Sequence, residues 1–170
     1  RYALPHLARI AAHAQRTRQD FAVMIADIDH FKSVNDRFGH AAGDRVLIEV
    51  AKRLRQCLRP VDLLARIGGE EFLIVMPIST RVNAGQVSSE ICTHISRAPI
   101  HISEPDAHVK MTVSIGVVMG NDCAAHSDDA AAKLLEYADK ALYEAKADGR
   151  NQAAFQTIPP EFHGLRNAKI

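Results

Sequence analysis

A pair of glycines, Gly68-Gly69, separates two runs of residues that have the pattern of β-strands, Val61 to Ile67 and Glu71 to Met76. A two-residue connection is among the tightest that joins antiparallel strands, and glycine suits it because both positions can take positive φ without a Cβ clash. The pattern therefore predicts a β-hairpin in this part of the chain. Glu70 and Glu71 follow the glycines, so the predicted hairpin carries two carboxylates at its tip.

This turn also suggests a chemistry. Because Gly68 and Gly69 have no side chains, a phosphorylated ligand can come close to the backbone there. A carboxylate held beside such a turn can bind a divalent cation. The turn therefore suggests phosphoryl chemistry.

The rest of the chain alternates between helical and strand patterns. Apolar residues at helical spacing predict four helices, over Leu4 to Ala12, from near Asp44 to Leu58, over Ala84 to Ile95 and over Leu134 to Ala145. Three further strands are predicted over Phe21 to Ile28, Val109 to Val117 and Ala153 to Gln156. Without the first helix, the order is strand, helix, strand, strand, helix, strand with additions, which is the ferredoxin-like split βαβ arrangement. We therefore expect an α+β or α/β sandwich of ferredoxin-like, palm type with a βααββαβ core, whose central, mostly antiparallel sheet of about five strands is flanked by helices.

One domain over residues 1–157 and a tail over residues 158–170 are expected, because the tail lacks periodicity and contains Pro159-Pro160. The first helix begins without a clear cap, so we expect a truncated N-terminal edge and a longer natural protein. The last helix has capping chemistry, with Ser127, Asp128 and Asp129 at its start and Gly149 just past its end.

Composition narrows the classes of partner. The 21 lysines and arginines nearly balance the 20 aspartates and glutamates, so no nucleic-acid polymer is expected as a general partner. The chain has no long apolar run and no signal-peptide pattern, which predicts a cytoplasmic domain and leaves open whether the full-length protein is membrane-anchored. The cysteines at positions 57, 92 and 123 are odd in number and widely spaced, so we expect reduced thiols.

Asp27 ends the apolar strand Phe21 to Ile28, where an unpaired buried carboxylate would be costly. It is therefore either exposed at the edge of the sheet or bound to a cation. If the first and third strands are neighbours, as the predicted topology requires, Asp27 and Glu70 approach each other and can share Mg²⁺. Strand alternation points Glu71 to the face opposite Glu70 and Phe72, so Glu71 is assigned a supporting role.

The segment after this strand is rich in hydrogen-bonding groups and is predicted to be a loop. Asn35 and Asp44 could match the donors and acceptors of a guanine edge, but spacing alone favours a turn residue and a helix N-cap. Lys32 either neutralises a phosphate or is a solvated surface lysine.

Two further pairs of residues also have both a plain and a functional interpretation. Lys146 and Arg150 lie at the end of the last helix, where the helix dipole favours basic residues without any ligand, or where both could bind a polyphosphate. Arg59 and Asp62 form either a local ion pair or a site for a guanine base and a phosphate.

Together these residues resemble the GGDEF family of diguanylate cyclases. The resemblance extends from Tyr2 to about Phe155. Any one of its motifs would be weak, but six motifs in this order are very specific. The matching segments are Asp27-Ile28-Asp29-His30-Phe31-Lys32, Asn35-Asp36-Arg37-Phe38-Gly39-His40 with Gly43-Asp44, the signature Arg66-Ile67-Gly68-Gly69-Glu70-Glu71-Phe72 in its GGEEF form, Val113-Ser114-Ile115-Gly116-Val117, Ala138-Asp139-Lys140-Ala141-Leu142-Tyr143, and Lys146-Ala147-Asp148-Gly149-Arg150-Asn151.

The resemblance implies an enzyme that joins two GTP molecules into cyclic di-GMP and releases pyrophosphate. It implies that Asp27, the carbonyl of Ile28, and Glu70 hold two Mg²⁺ or Mn²⁺ ions, and that Glu70 also helps to deprotonate the attacking 3′-hydroxyl. It implies further binding roles for these residues: guanine recognition by Asn35 and Asp44, and triphosphate binding by Lys32, Lys146, Arg150, the backbone near Phe31, and Gly68 and Gly69.

The resemblance also implies regulation and assembly. Arg59 and Asp62 match the family's RxxD site, which binds cyclic di-GMP and inhibits the enzyme. Each domain would hold one GTP, so catalysis requires a homodimer, and the full-length protein is expected to carry an N-terminal sensory or receiver domain. The alternatives are a silent domain that senses cyclic di-GMP or GTP, and an unrelated metal-dependent nucleotidyl transferase on the same palm-like fold.

Overall fold

A computed structural model describes residues 3–103, 105–122 and 127–159. Its elements in chain order are α1 (Ala3–Thr17), β1 (Phe21–Ile28), α2 (Phe31–Phe38), α3 (His40–Gln56), β2 (Leu63–Arg66), β3 (Glu71–Pro77), α4 (Arg81–Arg97), β4 (Ile100–Ser103), β5 (Asp106–Val109), β6 (Val113–Met119), a 3₁₀ turn (Gly120–Asp122), α5 (Ser127–Ala147) and β7 (Ala153–Gln156). In the part of the chain described, none of the helices is both long and apolar enough to cross a lipid bilayer.

The main sheet has five strands in the order β2-β3-β1-β6-β7. All neighbouring strands are antiparallel except β6 and β7, which α5 connects as a parallel crossover. The predicted palm-like α+β fold is therefore confirmed. β1 lies between β3 and β6 and is buried along its whole length, which explains why its sequence is an unbroken apolar run.

Apolar side chains alternate between the two faces of this sheet and form two cores. One face packs against α2, α3 and α4 through residues such as Met24 and Ile74. The other face packs against α1 and α5 through residues such as Ile25 and Leu73. Asp27 falls in the alternation on the same face as Ile25, so it lies on the α5 side of the sheet.

The structure corrects two predicted elements. The segment predicted as a loop after β1 is the helix α2, whose Phe31 and Val34 are buried against the core. The single strand predicted over Val109 to Val117 is two strands, because β5 pairs with β4 in a separate two-stranded sheet and β6 begins only at Val113. β6 is buried on both faces, so its apparent alternation did not mark a half-buried strand.

The end of the described chain bears on the predicted domain boundary. Ile158, assigned to the tail from the sequence, is buried in the core beneath α1 and α5. The packed domain therefore extends to Ile158, while positions 160–170 of the predicted tail lie outside the described residues. α5 does begin at Ser127, but the side chains of the predicted cap, residues 127–129, are also outside them. Cys57 and Cys92 are free thiols, whereas Cys123 lies outside the described range.

Candidate functional site

The candidate site is built on the edge of the sheet where β1 ends and β3 begins. Asp27, near the end of β1, pairs in register with Glu71 at the start of β3. Opposite residues of an antiparallel pair point to the same face, so the two carboxylates lie side by side. Asp27 is only 7% exposed, which excludes a freely solvated edge residue.

The charge of Asp27 is balanced by a lysine from α5. Lys146 Nζ lies 2.9 Å from Asp27 Oδ1. Burial raises the pKa of the Asp27 carboxyl above its ordinary value, and the hydrogen bond and charge of Lys146 partly offset this rise. Lys146 therefore does more than complement the helix dipole, because its ammonium reaches across to the end of β1.

Glu71 adds a second negative charge at this point. Burial raises the pKa of its carboxyl, and the neighbouring charges of Asp27 and Asp139 raise it further. The strand alternation predicted from the sequence is correct, since Phe72 packs in the opposite core. It is this alternation that places Glu71 on the face of Asp27, so Glu71 lies closer to the acidic centre than its supporting assignment implied.

The glycine turn is held against the end of β1. Ile28 N donates to Glu70 O at 3.2 Å, so the backbone of Glu70 lies beside the residue that follows Asp27. Glu70 itself is half-buried. This agrees with the prediction that the two strands bring Asp27 and Glu70 close together.

The predicted form of the turn is wrong. Four residues, Ile67 to Glu70, connect β2 to β3, with Ile67 N donating to Glu71 O at 2.9 Å. The positive-φ glycines of the described chain are Gly39 and Gly149, so positive φ does not explain the glycine pair. A Cβ on Gly68 would lie 2.5 Å from Glu71 Oε2, so the end of the Glu71 side chain would have to shift to admit one.

Arg66 braces the turn, a role that the sequence did not assign. Its guanidinium donates to Gly68 O at 3.1 Å and to Gly69 O at 2.7 Å. These bonds turn both glycine carbonyls toward the arginine. The sequence signal for this contact is a basic residue two positions before a glycine pair, and it is a weak one.

The helix α2 begins immediately after the acidic strand end. His30, with φ of 56°, directs the chain into the helix, and the exposed Lys32 lies in its first turn. Free backbone N–H groups at a helix start attract anions, and a lysine beside them strengthens that attraction. Phe31 is buried and anchors this start in the core.

Asn35 of α2 lies against Gly43 of α3, the residue before Asp44. A Cβ on Gly43 would lie 1.9 Å from Asn35 Oδ1, so the amide of Asn35 lies directly against the backbone that precedes Asp44. Asp44 is exposed within α3, which begins at His40, so the helix N-cap interpretation of Asp44 is wrong. The turn interpretation of Asn35 is also wrong, because Asn35 lies in α2.

Arg150 lies in the turn after α5, close to the acidic centre. Its charge acts to lower the pKa of Asp27, against the larger effect of burial. Both Arg150 and Asn151 have positive φ, of 63° and 48°. The turn therefore holds two non-glycine residues in a conformation that needs support from their surroundings.

Arg59 and Asp62 are not part of this cluster. Arg59 donates to both carboxylate oxygens of Asp62, with the shortest side-chain contact 2.8 Å, so the local ion pair exists. Arg59 also donates to Pro77 O, at the opposite end of β3 from Glu71. The two ends of this seven-residue strand are about 20 Å apart.

Asp29 is a polar residue at this edge that sequence reasoning quoted but gave no role. It is 3% exposed and accepts hydrogen bonds from Thr112, Ser114 and the backbone of Asn151. The available signal was a second aspartate two residues after Asp27, at the end of an apolar strand, where burial requires partners.

The carboxylates of this edge are suited to a hard divalent cation. Asp27 is a buried oxygen donor whose neighbours Glu70 and Glu71 are also acidic, and Lys146 already supplies positive charge there. Within the described residues, no three His, Cys, Asp or Glu side chains are already arranged around one point as ligands. The predicted set fits nonetheless, because it uses two carboxylates and one backbone carbonyl and leaves the remaining positions to the substrate and water.

Comparison with known proteins identifies this arrangement. The family model for "Diguanylate cyclase, GGDEF domain" matches residues 1–152. Response regulator PleD of Caulobacter vibrioides is 37% identical over 151 residues, which are 89% of this chain and 32% of PleD. Diguanylate cyclase TpbB of Pseudomonas aeruginosa is 39% identical over 145 residues, 85% of this chain and 32% of TpbB. The chain thus spans about a third of the length of these curated relatives.

Solved structures agree with the sequence comparisons. A structure comprising only the GGDEF domain of TpbB has a TM-score of 0.83 at 35% identity and covers 92% of this chain and 88% of that one. The GGDEF domain of DgcB from Caulobacter crescentus, in complex with c-di-GMP, has a TM-score of 0.80 at 30% identity and covers 89% of this chain and 86% of that one. With its acidic strand end, glycine turn and basic helix end in one place, this chain belongs to the GGDEF family of diguanylate cyclase domains.

Proposed function

We propose that the domain is a diguanylate cyclase that condenses two GTP molecules into cyclic di-GMP and two pyrophosphates. The observation that carries the proposal is the ion pair of Asp27 and Lys146 beside the Glu70-Glu71 turn. Three distant segments of the sequence bring acids and a cation to one edge of the sheet. Relatives of this chain are named as diguanylate cyclases, which supports the same activity.

In this reaction each 3′-oxygen attacks the α-phosphorus of the other GTP. A P–O bond forms to the 3′-oxygen, the bond between the α-phosphorus and the bridging oxygen breaks, and pyrophosphate leaves. Glu70 accepts the proton of the attacking hydroxyl. Lys146, Arg150 and Lys32 neutralise the charge of the triphosphate. The backbone near Phe31 also binds it, and Gly68 and Gly69 let the phosphates come close to the chain.

Asp27, the Ile28 carbonyl and Glu70 would hold two Mg²⁺ or Mn²⁺ ions. Such ions supply charge stabilisation at the entering and leaving oxygens. Lys146 must then share or release Asp27, and it is well placed to move from the carboxylate to a phosphate, because its side chain is one-third exposed.

Asn35 and Asp44 would read the guanine base. The contact of Asn35 with Gly43 supports this assignment, because Gly43 is the residue before Asp44 and the side chain of Asp44 is exposed. Glycine at position 43 leaves the room that the Asn35 side chain occupies. Replacement of GTP by ATP should therefore abolish product formation, since adenine reverses the donor and acceptor pattern at this edge.

Each domain offers one set of these residues, so two domains must face each other with one GTP in each. The homodimer is thus part of the proposal, as is an N-terminal sensory or receiver domain that controls its formation.

Turnover of GTP with Mg²⁺ tests the proposal, with the product identified by chromatography and mass spectrometry. The domain should form cyclic di-GMP when dimerised, for example through a fused dimeric coiled coil. Glu70→Gln should abolish product, whereas Glu90→Gln on the exposed surface of α4 should not change the rate. A folded dimer that binds GTP but never forms product would contradict the proposal and favour the sensor alternative.

Product inhibition through Arg59 and Asp62 is a separate proposal. Arg59 is half-exposed, while the side chain of Asp62 is only 1% exposed beneath it. The guanidinium is therefore accessible to a guanine base or phosphate, and Asp62 orients it. Calorimetry should show cyclic di-GMP binding that Arg59→Ala removes, and the same variant should lose inhibition without losing turnover. Binding that survives this substitution would place the inhibitory site elsewhere.

A further inference from the structure

Asp29 is a buried side chain near the candidate site, and both of its carboxylate oxygens accept hydrogen bonds. Its Oδ2 accepts from Thr112 Oγ1 at 2.6 Å and from Asn151 N at 3.1 Å, and its Oδ1 accepts from Ser114 Oγ at 2.7 Å. Its own N–H donates to Thr112 O at 2.9 Å. One buried carboxylate thus connects the end of β1, the start of β6 and the turn after α5.

The turn after α5 needs such a connection. Gly149, Arg150 and Asn151 are three successive residues with positive φ, of 115°, 63° and 48°. Residues with a Cβ seldom adopt this conformation, so it persists only where other contacts hold it. The helix end holds one side, because Arg150 N donates to Ala145 O at 3.0 Å. Asp29 holds the other side through the N–H of Asn151.

The backbone of Arg150 is therefore fixed between two hydrogen bonds, one at its own N–H and one at the next residue. Its side chain leaves the turn from this fixed point, close enough to Asp27 for its charge to act on that carboxyl. Loss of the Asn151 contact would free the turn to relax to more common φ values, and the guanidinium would lose its direction.

We propose that Asp29 is a positioning residue for the triphosphate subsite: it holds the turn through Asn151 N–H and so aims Arg150 at the phosphates of GTP. This inference rests on the proposed function. Asp29 itself does not touch the nucleotide, because it is buried and its two oxygens are occupied by three donors.

If Asp29 acted only through its charge, its substitution would change the affinity for the triphosphate in the opposite direction. A carboxylate near a triphosphate repels it, so removal of the charge alone would tighten triphosphate binding. Loss of positioning weakens binding instead. Asparagine separates the two effects, since its Oδ1 can still accept from Asn151 N while its Nδ2 donates to the Ser114 hydroxyl, which can act as an acceptor.

Calorimetric titration with 3′-deoxy-GTP in Mg²⁺ tests the proposal, because this nucleotide lacks the attacking hydroxyl and cannot turn over. Asp29→Ala should raise the Kd about tenfold, and Asp29→Asn should restore most of the affinity. GMP, which lacks the β- and γ-phosphates, should bind both variants within about twofold of wild type. Asp148→Ala, which removes a charge from the same exposed turn, should not weaken the binding of either nucleotide.

A double-substitution cycle shows whether Asp29 acts through Arg150. In an Arg150→Ala background, Asp29→Ala should cause no further loss of 3′-deoxy-GTP affinity. If Asp29→Ala fails to fold, Thr112→Val keeps the charge but removes one of the bonds that orient it, and it should weaken 3′-deoxy-GTP binding in the same direction, again only when Arg150 is present.

The outcomes separate this inference from the proposed function. Three results would each overturn the positioning role alone. They are an equal loss of affinity for GMP and 3′-deoxy-GTP, tighter binding of 3′-deoxy-GTP by both Asp29 variants, and an undiminished effect of Asp29→Ala in the Arg150→Ala background. In those cases Arg150→Ala would still weaken triphosphate binding. No binding of 3′-deoxy-GTP by the wild-type domain would overturn both.

Discussion

The acidic residues at the end of β1 and the start of β3 are stabilised by the nearby cations Lys146 and Arg150, of which Lys146 makes direct contact with Asp27. Asp27 is buried beside Glu71, and Lys146 forms the ion pair that compensates its charge. Concentrated like charges of this kind cost stability unless a cation is present. The same arrangement that makes the site unfavourable when empty thus favours binding of a divalent cation.

In the presence of a metal chelator, Lys146→Met should lower the free energy of unfolding by about 2 kcal/mol, because it leaves the buried carboxylate of Asp27 without its partner. Lys140→Met on the same helix should change the free energy of unfolding much less, because the Lys140–Glu136 pair is exposed to solvent. Denaturant unfolding measures both values. Added Mg²⁺ should reduce the loss of unfolding free energy in the Lys146 variant only. An equal loss in the two variants would contradict the burial argument.

Cys92 provides a pH-dependent contribution to stability. Burial, and after it the charge of Asp29, raises the pKa of this thiol to about 11, from 9.0 when unperturbed. The folded state therefore favours the neutral thiol. The contribution of the buried thiol to the free energy of unfolding should be full below about pH 9 and lost as the pH rises through about 11. The total change is about 3 kcal/mol. Between these pH values, unfolding free energy should fall more steeply for wild type than for Cys92→Ala; parallel curves would contradict this.

At the scale of elements, α5 packs unusually closely on β6. A Cβ on Gly116 of β6 would lie 1.9 Å from Ala138 O and 2.3 Å from Leu142 N. Because both atoms belong to the helix backbone, they cannot move aside as a flexible side chain would. This close approach holds α5, which carries Lys146 and precedes the turn of Arg150, against the strand beside Asp27.

Gly116→Ala should destabilise the domain by about 3 kcal/mol or more, since the helix must shift to admit the methyl group. Gly85→Ala is the matched control, because its Cβ would meet only Phe155 Cζ at 3.8 Å, and it lies inside α4. Alanine there should stabilise by about 0.5–1 kcal/mol. Thermal or denaturant unfolding checks the opposite signs, and the same sign for both would contradict the packing argument.

Element prediction from the sequence succeeded where one periodicity dominated. β1, β3, α4, α5 and β7 were predicted at nearly their observed positions because their apolar patterns are long or strongly bounded. α2 was missed because only Phe31 and Val34 of its eight residues are buried, and its polar residues resemble those of a loop. The hairpin of β4 and β5 was missed because its short strands pair outside the main sheet.

At the scale of the whole molecule, the two proposed nucleotide sites occupy opposite ends of β3. Arg59 contacts Pro77 at one end, and Glu71 lies at the other, about 20 Å away. Cyclic di-GMP bound at Arg59 therefore cannot displace GTP from the acidic edge by direct contact. Inhibition would have to act on how two domains are arranged, or on a coupled conformational equilibrium.

Nucleotide binding should stabilise the folded domain by mass action. At a free 3′-deoxy-GTP concentration of about 100 Kd with Mg²⁺, the gain is about 2.7 kcal/mol, which raises Tm by about 5–10 °C in a domain of this size. Arg150→Ala and Glu70→Gln should reduce the shift at the same ligand concentration, whereas Lys140→Met should not. A Tm that is insensitive to the nucleotide would contradict binding at this edge.

The sequence by itself determined the family, the palm-like fold and the identity of the candidate residues, because the motifs occur in a fixed order and the apolar patterns define a sheet covered on both faces. Only the tertiary structure decided which of those residues meet. The pairing of β1 with β3 sets Glu71 opposite Asp27, and the packing of α5 brings Lys146 to the same carboxylate. The tertiary structure also joins Asp29 to the turn that carries Arg150, through the hydrogen bond from Asn151 N. Spacing along a chain cannot reveal such contacts, because they depend on strand register and on the close packing of separate elements.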